Sequence, residues 1–150
     1  MPSIAIGNFL TFIALTAAIT LLVSSFIVYS VSIRVMPEIQ QLKNILDHVA
    51  AKANELASLA AVTNATTCLF IHMPPSIGNQ QYWMQLRNDS LNVWLEGALG
   101  QFGTQTTTYQ VFLPREISAS GQYVGGYGIA VLECQRDSTA LQLVLSYVGG

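Results

Sequence analysis

"FLTFIALTAAITLLVSSFIVYSVSI", Phe9 to Ile33, runs for 25 residues without a charged side chain. About 20 apolar residues suffice for a helix to cross a hydrocarbon core of roughly 30 Å. The charge-free region reaches back to Met1, and the first charged residue is Arg34. All 14 charges therefore fall beyond residue 33, although charged residues are only 9% of the chain and apolar ones 51%. Residues 1–33 are expected to form an apolar helical stem, with Pro2 in its first turn. A secretory signal peptide fits poorly, because no basic segment precedes the run and the run is too long. A bitopic membrane anchor fits its length.

Downstream the helical pattern resumes at once. In "PEIQQLKNILDHVAAKANELASLAA", 37–61, the residues Ile39, Leu42, Leu46, Val49, Ala53, Leu56 and Ala60 recur at steps of three and four. That spacing draws one apolar stripe along a helix. Gln41, Lys43, Asp47, Lys52 and Glu55 fall off it. The stripe serves either as a coiled-coil seam or as the face on which a head packs. Pro37 interrupts the pattern, and a proline inside a helix kinks it. An N-terminal helix over residues 1–62 is therefore expected, apolar in 1–33 and amphipathic in 34–62.

From Thr63 the composition changes, and "TNATT" makes a polar break. Six candidate strands follow: "CLFIHM", "YWMQLRN", "LNVWLE", "TTYQVFL", "GIAVLECQ" and "LQLVLSY". Several alternate strictly, with Tyr82, Met84 and Leu86 on one face and Trp83, Gln85 and Arg87 on the other. Such alternation predicts antiparallel strands with one buried face. Residues 63–150 are expected to form a small antiparallel all-β, sandwich-like head, and the chain as a whole an α+β protein. Two Pro-containing stretches, "MPPSIGNQQY" (73–82) and "LPREISASGQY" (113–123), resemble each other and read as turns.

The head holds the chain's two cysteines, Cys68 and Cys134. An even pair outside the membrane predicts one disulfide, the alternative being two buried thiols. Asn64-Ala65-Thr66 and Asn88-Asp89-Ser90 match the N-glycosylation acceptor pattern. His48 and His72 stand apart, without convergent ligands for a metal. No nucleophile elbow, phosphate loop, HExxH or spaced carboxylate pair occurs. The expectation is a protein that is not an enzyme and takes no metal or cofactor. A net charge of −2 without a basic stripe argues against nucleic acid as a partner.

The segment "IGNFLTFIALTAA", Ile6 to Ala18, is similar to the N-terminal helix of archaellins and archaeal type IV pilins. In those helices an Ile-Gly pair precedes an apolar run containing Phe-Ile-Ala. Ile6-Gly7 and Phe12-Ile13-Ala14 stand in the matching places. Position 5 is Ala, where bacterial type IV pilins carry Glu, so the archaeal branch is the better match. The resemblance implies that a prepilin peptidase removes a short basic leader, making Met1 the processed N-terminus. It also implies a membrane-inserted stage, then extraction by an assembly ATPase and platform into an extracellular homopolymer. Ile6, Gly7, Phe9, Phe12, Ile13, Ala14, Ala17, Ala18, Leu21 and Leu22 would form the polymerisation helix, with Ser24 and Ser25 adding to its small residues. The expected function is that of a pilin for adhesion or surface attachment. The alternatives are an archaellin of a motility filament, a non-polymerising anchored accessory protein of the same machinery, and an unrelated bitopic protein.

Overall fold

The computed structural model describes residues 2–103, 107–136 and 140–148, and their side chains except those of 2–6 and 31–36. One α-helix, α1, spans Pro2–Thr63 with Pro37 inside it. Seven strands follow: β1 (Thr67–His72), β2 (Tyr82–Asn88), β3 (Val93–Leu99), β4 (Tyr109–Leu113), β5 (Ile117–Val124), β6 (Ile129–Arg136) and β7 (Leu141–Val148). The protein is thus α+β, with an apolar N-terminal helix and a β head. The chain divides into two compact units, Met1–Pro37 and Glu38–Gly150.

In the second unit the amphipathic half of α1 supplies one layer and the sheet the other. Leu42, Leu46, Val49, Ala53, Leu56 and Ala60 are all buried, and Ala50 and Ala57 widen the stripe. They join one core with Tyr82, Met84 and Leu86 of β2, Val93 and Leu95 of β3, Tyr123, Leu132, Leu143 and Leu145. The stripe therefore meets the sheet rather than another helix. Alanines bring the backbone close, and so does Gly97. A Cβ at that position would lie 2.8 Å from the Trp83 carbonyl oxygen and 2.9 Å from Leu46 Cδ2. Helix and sheet also meet at the periphery: the Gln80 amide donates to Glu38 at 3.2 Å, and the Lys43 ammonium sits 4.8 Å above the Tyr109 ring. At the end of α1, Asn64 takes a left-handed φ of 55° and its N–H donates to Ala60 O. Asparagine tolerates that conformation, which is how many helices end.

The sheet order is β1-β6-β7-β5-β2-β3-β4. Every pairing is antiparallel except β5 with β7, which is parallel. The strand not expected from the sequence is β5, all but the last residue of which falls in the 113–123 stretch expected to be a turn. It alternates buried Ile117, Ala119 and Tyr123 with exposed Ser118, Ser120 and Gln122, the alternation being broken at Gly121, and its small Ser-Ala-Ser-Gly run, 118–121, reads as a turn. Its first five residues pair with β7 and its last three with β2. The change of partner falls at Gly121, whose φ is +106°. The head is therefore one seven-stranded sheet that changes direction within β5, and the helix occupies the place that a second sheet would fill in a sandwich.

Candidate functional site

The first unit holds the residues expected to polymerise. Gly7–Ser30 is a helix of 24 residues with mean hydropathy 2.3, long and apolar enough to cross a membrane, and none of it is buried within the chain. Phe9, Phe12, Leu21, Leu22 and Phe26 are each more than 60% exposed. Ile13, Ala14, Ala17 and Ala18 are exposed as well, as are Gly7, Ser24 and Ser25. Met1 and the side chain of Ile6 lie outside the described residues. Pro37, the expected kink, sits within helical backbone at the end of this unit.

One property of the stem was not read from the sequence. Five of its hydroxyls, on Thr11, Thr16, Thr20, Ser24 and Ser25, are bonded back into the helix. Thr11 Oγ1 donates to Gly7 O at 2.8 Å, Thr16 to Phe12 O at 2.5 Å, and Thr20 to Thr16 O at 2.7 Å. Ser24 donates to Thr20 O at 2.7 Å and Ser25 to Leu21 O at 2.8 Å. A hydroxyl satisfied by its own helix needs neither water nor a neighbour. It can enter lipid or a dry bundle without the cost of an unpaired polar group. The spacing of Thr11, Thr16, Thr20 and Ser24 was the available signal, since Ser and Thr bond to the i−4 carbonyl of a helix.

The expected disulfide between Cys68 and Cys134 is not formed; both thiols are free. The register explains why. Thr67 stands opposite Cys134 and Cys68 opposite Glu133, so the cysteines occupy adjacent strands but are offset by one residue. Successive side chains of a strand leave opposite faces, so Cys68 points outward, exposed, while Cys134 is fully buried in the core. Burial pushes the Cys134 thiol above its usual range. At pH 8, therefore, Cys68 is expected to react with a maleimide in the native protein at least about a hundredfold faster than Cys134, and the two at similar rates after denaturation. Intact-mass labelling of wild type and Cys68→Ser checks this, and a native chain two hydrogen atoms lighter that takes no label would refute the register.

Asn64 and Asn88 are both exposed, Asn64 at the end of α1 and Asn88 at the end of β2. The turn after Asn88 is held by Asp89, whose Oδ1 accepts from the N–H groups of Leu91 and Asn92 at 2.7 and 2.6 Å. Those two bonds hold the Asp89 carboxyl below its usual range.

The outer face of the head, away from α1, carries a fixed polar group. Glu96 on β3 is 7% exposed. Its Oε1 lies 3.1 Å from Arg87 Nε, and its Oε2 accepts from Trp94 Nε1 at 3.2 Å. A carboxylate taken from water needs such partners, and here they also fix the indole. His48 and His72 remain apart, and among the described residues no group of three His, Cys, Asp or Glu gathers where a metal ion would sit. Compared with protein-family models, characterised proteins and solved structures, the chain matches none.

Proposed function

We propose that the chain is the structural subunit of an extracellular helical filament of the archaeal type IV pilus kind, serving adhesion or surface attachment. The observation that carries this reading is the stem. It is a 24-residue apolar helix with no buried residue, and the described core residues of the chain all lie in the head unit, from Leu42 onward. Soluble monomers rarely expose apolar patches larger than a few hundred Å². A stem of this kind needs lipid before assembly and copies of itself afterwards. Ala14, Ala17 and Ala18 allow close approach between helices, and the hydroxyls of Thr11, Thr16, Thr20, Ser24 and Ser25 are already bonded within their own helix. A contact that joins one copy to the next without closing builds a helical polymer. Heads would then form the outer layer, with Asn64 and Asn88 accessible to glycosylation.

By resemblance, a prepilin peptidase and an assembly ATPase with its platform act before polymerisation. No catalytic group, metal or cofactor enters this reading, and neither does nucleic acid. The test is to shear cells without detergent and examine the released material by electron microscopy and mass spectrometry. Thin filaments made of this chain are expected. Recovery only from detergent-extracted membranes would overturn the filament and favour an anchored accessory protein.

A further inference from the structure

We propose that the outer face of the head binds a neutral polysaccharide, in the groove between β2 and β5 and on the aromatic pair Trp94 and Phe112 beside it. The groove has a structural cause. β2 and β5 pair only where Trp83–Gln85 meets Gln122–Val124. Beyond that point β5 belongs to β7, and β2 continues alone beside β3. The strands diverge around a groove of about 330 Å³ whose lining includes Gln85, Arg87, Asn88, Trp94, Ser120 and Gly121. That volume lies at the lower end of the roughly 300–1,000 Å³ of small-molecule sites. Leu86–Asn88 pair with β3 and Ala119–Gly121 with β7, but not with each other, so those of their N–H and C=O groups that face the groove remain for a ligand.

The register extends the groove into a platform. Arg87, Trp94 and Phe112 form one cross-strand row, and Gln85, Glu96 and Gln110 the next. Phe112 is 64% exposed, and Trp94 is half-buried with its indole held by Glu96. The charges decide the class of ligand. Arg87 is paired with Glu96 at 3.1 Å, and the other polar side chains of groove and rows are amides and one hydroxyl. Nucleic acid or an anionic headgroup would need unpaired cations, and a peptide's apolar side chains would find no pocket among glutamines. A pyranose ring fits both halves of the surface. Its C–H face lies on an aromatic ring, and its rim of hydroxyls meets amides that both donate and accept. This deepens the attachment role proposed above but stands on the head alone, whether or not the stem polymerises.

The test uses the full chain in a zwitterionic detergent, since sugar-headed detergents would compete. Depletion from solution is measured on microcrystalline cellulose, chitin and immobilised mannan. Wild type is expected to be retained on at least one of them. Trp94→Ala and Phe112→Ala should each weaken retention at least about tenfold, and Trp94→Phe should restore most of it. Phe70→Ala, which removes an aromatic ring 58% exposed on β1, should stay within about twofold. Should Trp94→Ala not fold, Phe112→Ala, at an exposed edge position, decides. No retention on any of the three, or equal losses in Phe70→Ala and Phe112→Ala, overturns the proposal. Filament formation plays no part in this readout, so its failure and the failure of the pilin reading are separable.

Discussion

A chain shortened to Glu38–Gly150 is expected to fold cooperatively and to stay monomeric in water, whereas the full chain requires detergent, lipid or its own copies. The reason lies in where burial occurs. Every buried core residue lies between Leu42 and Leu145, and every described side chain of 7–30 is exposed. Cutting before Glu38 therefore removes no core residue among the described ones. It also leaves an acidic residue at the new helix N-terminus, where the partial positive charge of the helix favours it. Glu38 is already tied to the sheet side through Gln80. A second truncation, before Asn64, supplies the contrast. It deletes Leu42, Leu46, Val49 and Leu56, each buried. At about 1.5–3 kcal/mol per large side chain, that loss is comparable to the whole stability of a small domain, about 5–15 kcal/mol. The shorter fragment should be unfolded or aggregated. Circular dichroism melting and analytical ultracentrifugation of both fragments check the pair. An aggregated Glu38–Gly150 would mean that the stem completes the head, and the division of labour argued here would fall.

What the sequence made legible follows the strength of each local pattern. The stem declared itself because 33 consecutive residues lack charge, and no ordinary soluble helix does that. The amphipathic helix was readable because leucines at helical spacing leave no alternative period. What it packs against was not readable, since a stripe is the same whether it faces a helix or a sheet. Strands such as β2 and β7 showed through large alternating side chains. β5 did not, because the run Ser118-Ala119-Ser120-Gly121 between its buried Ile117 and Tyr123 reads as a turn. The cysteine pair failed for a different reason. A one-residue shift of register reverses every side chain of a strand, and nothing local fixes whether Cys68 meets Cys134 or Glu133. The same dependence on register hid the Arg87–Trp94–Phe112 row, whose members come from three strands.

Gly121→Ala is expected to be the most damaging single methyl group in the head. A Cβ there would overlap Leu145 O and lie 2.8 Å from Leu145 N, both backbone atoms that cannot rotate away. The position also holds φ at +106°, a region that non-glycine residues enter only under strain. Clash and strain act on the residue where β5 leaves β7 for β2, so neither half of the sheet can relax without shifting the other. A loss of about 3–5 kcal/mol is expected, lowering the melting temperature of the head by roughly 15–30 °C. Gly126→Ala separates the two causes. Its φ is +94°, but a Cβ there would meet only Pro75 O, at an ordinary 3.6 Å. Strain without overlap should cost about 1–2 kcal/mol. Both variants are best measured by denaturant unfolding of Glu38–Gly150, where no stem complicates the baseline. Equal losses at the two positions would show that conformation alone sets the cost, and that β5 can move away from β7 without breaking the sheet. A loss at Gly121 at least twice that at Gly126 would show the two halves of the sheet locked together through a strand with no room for a side chain at its turning point.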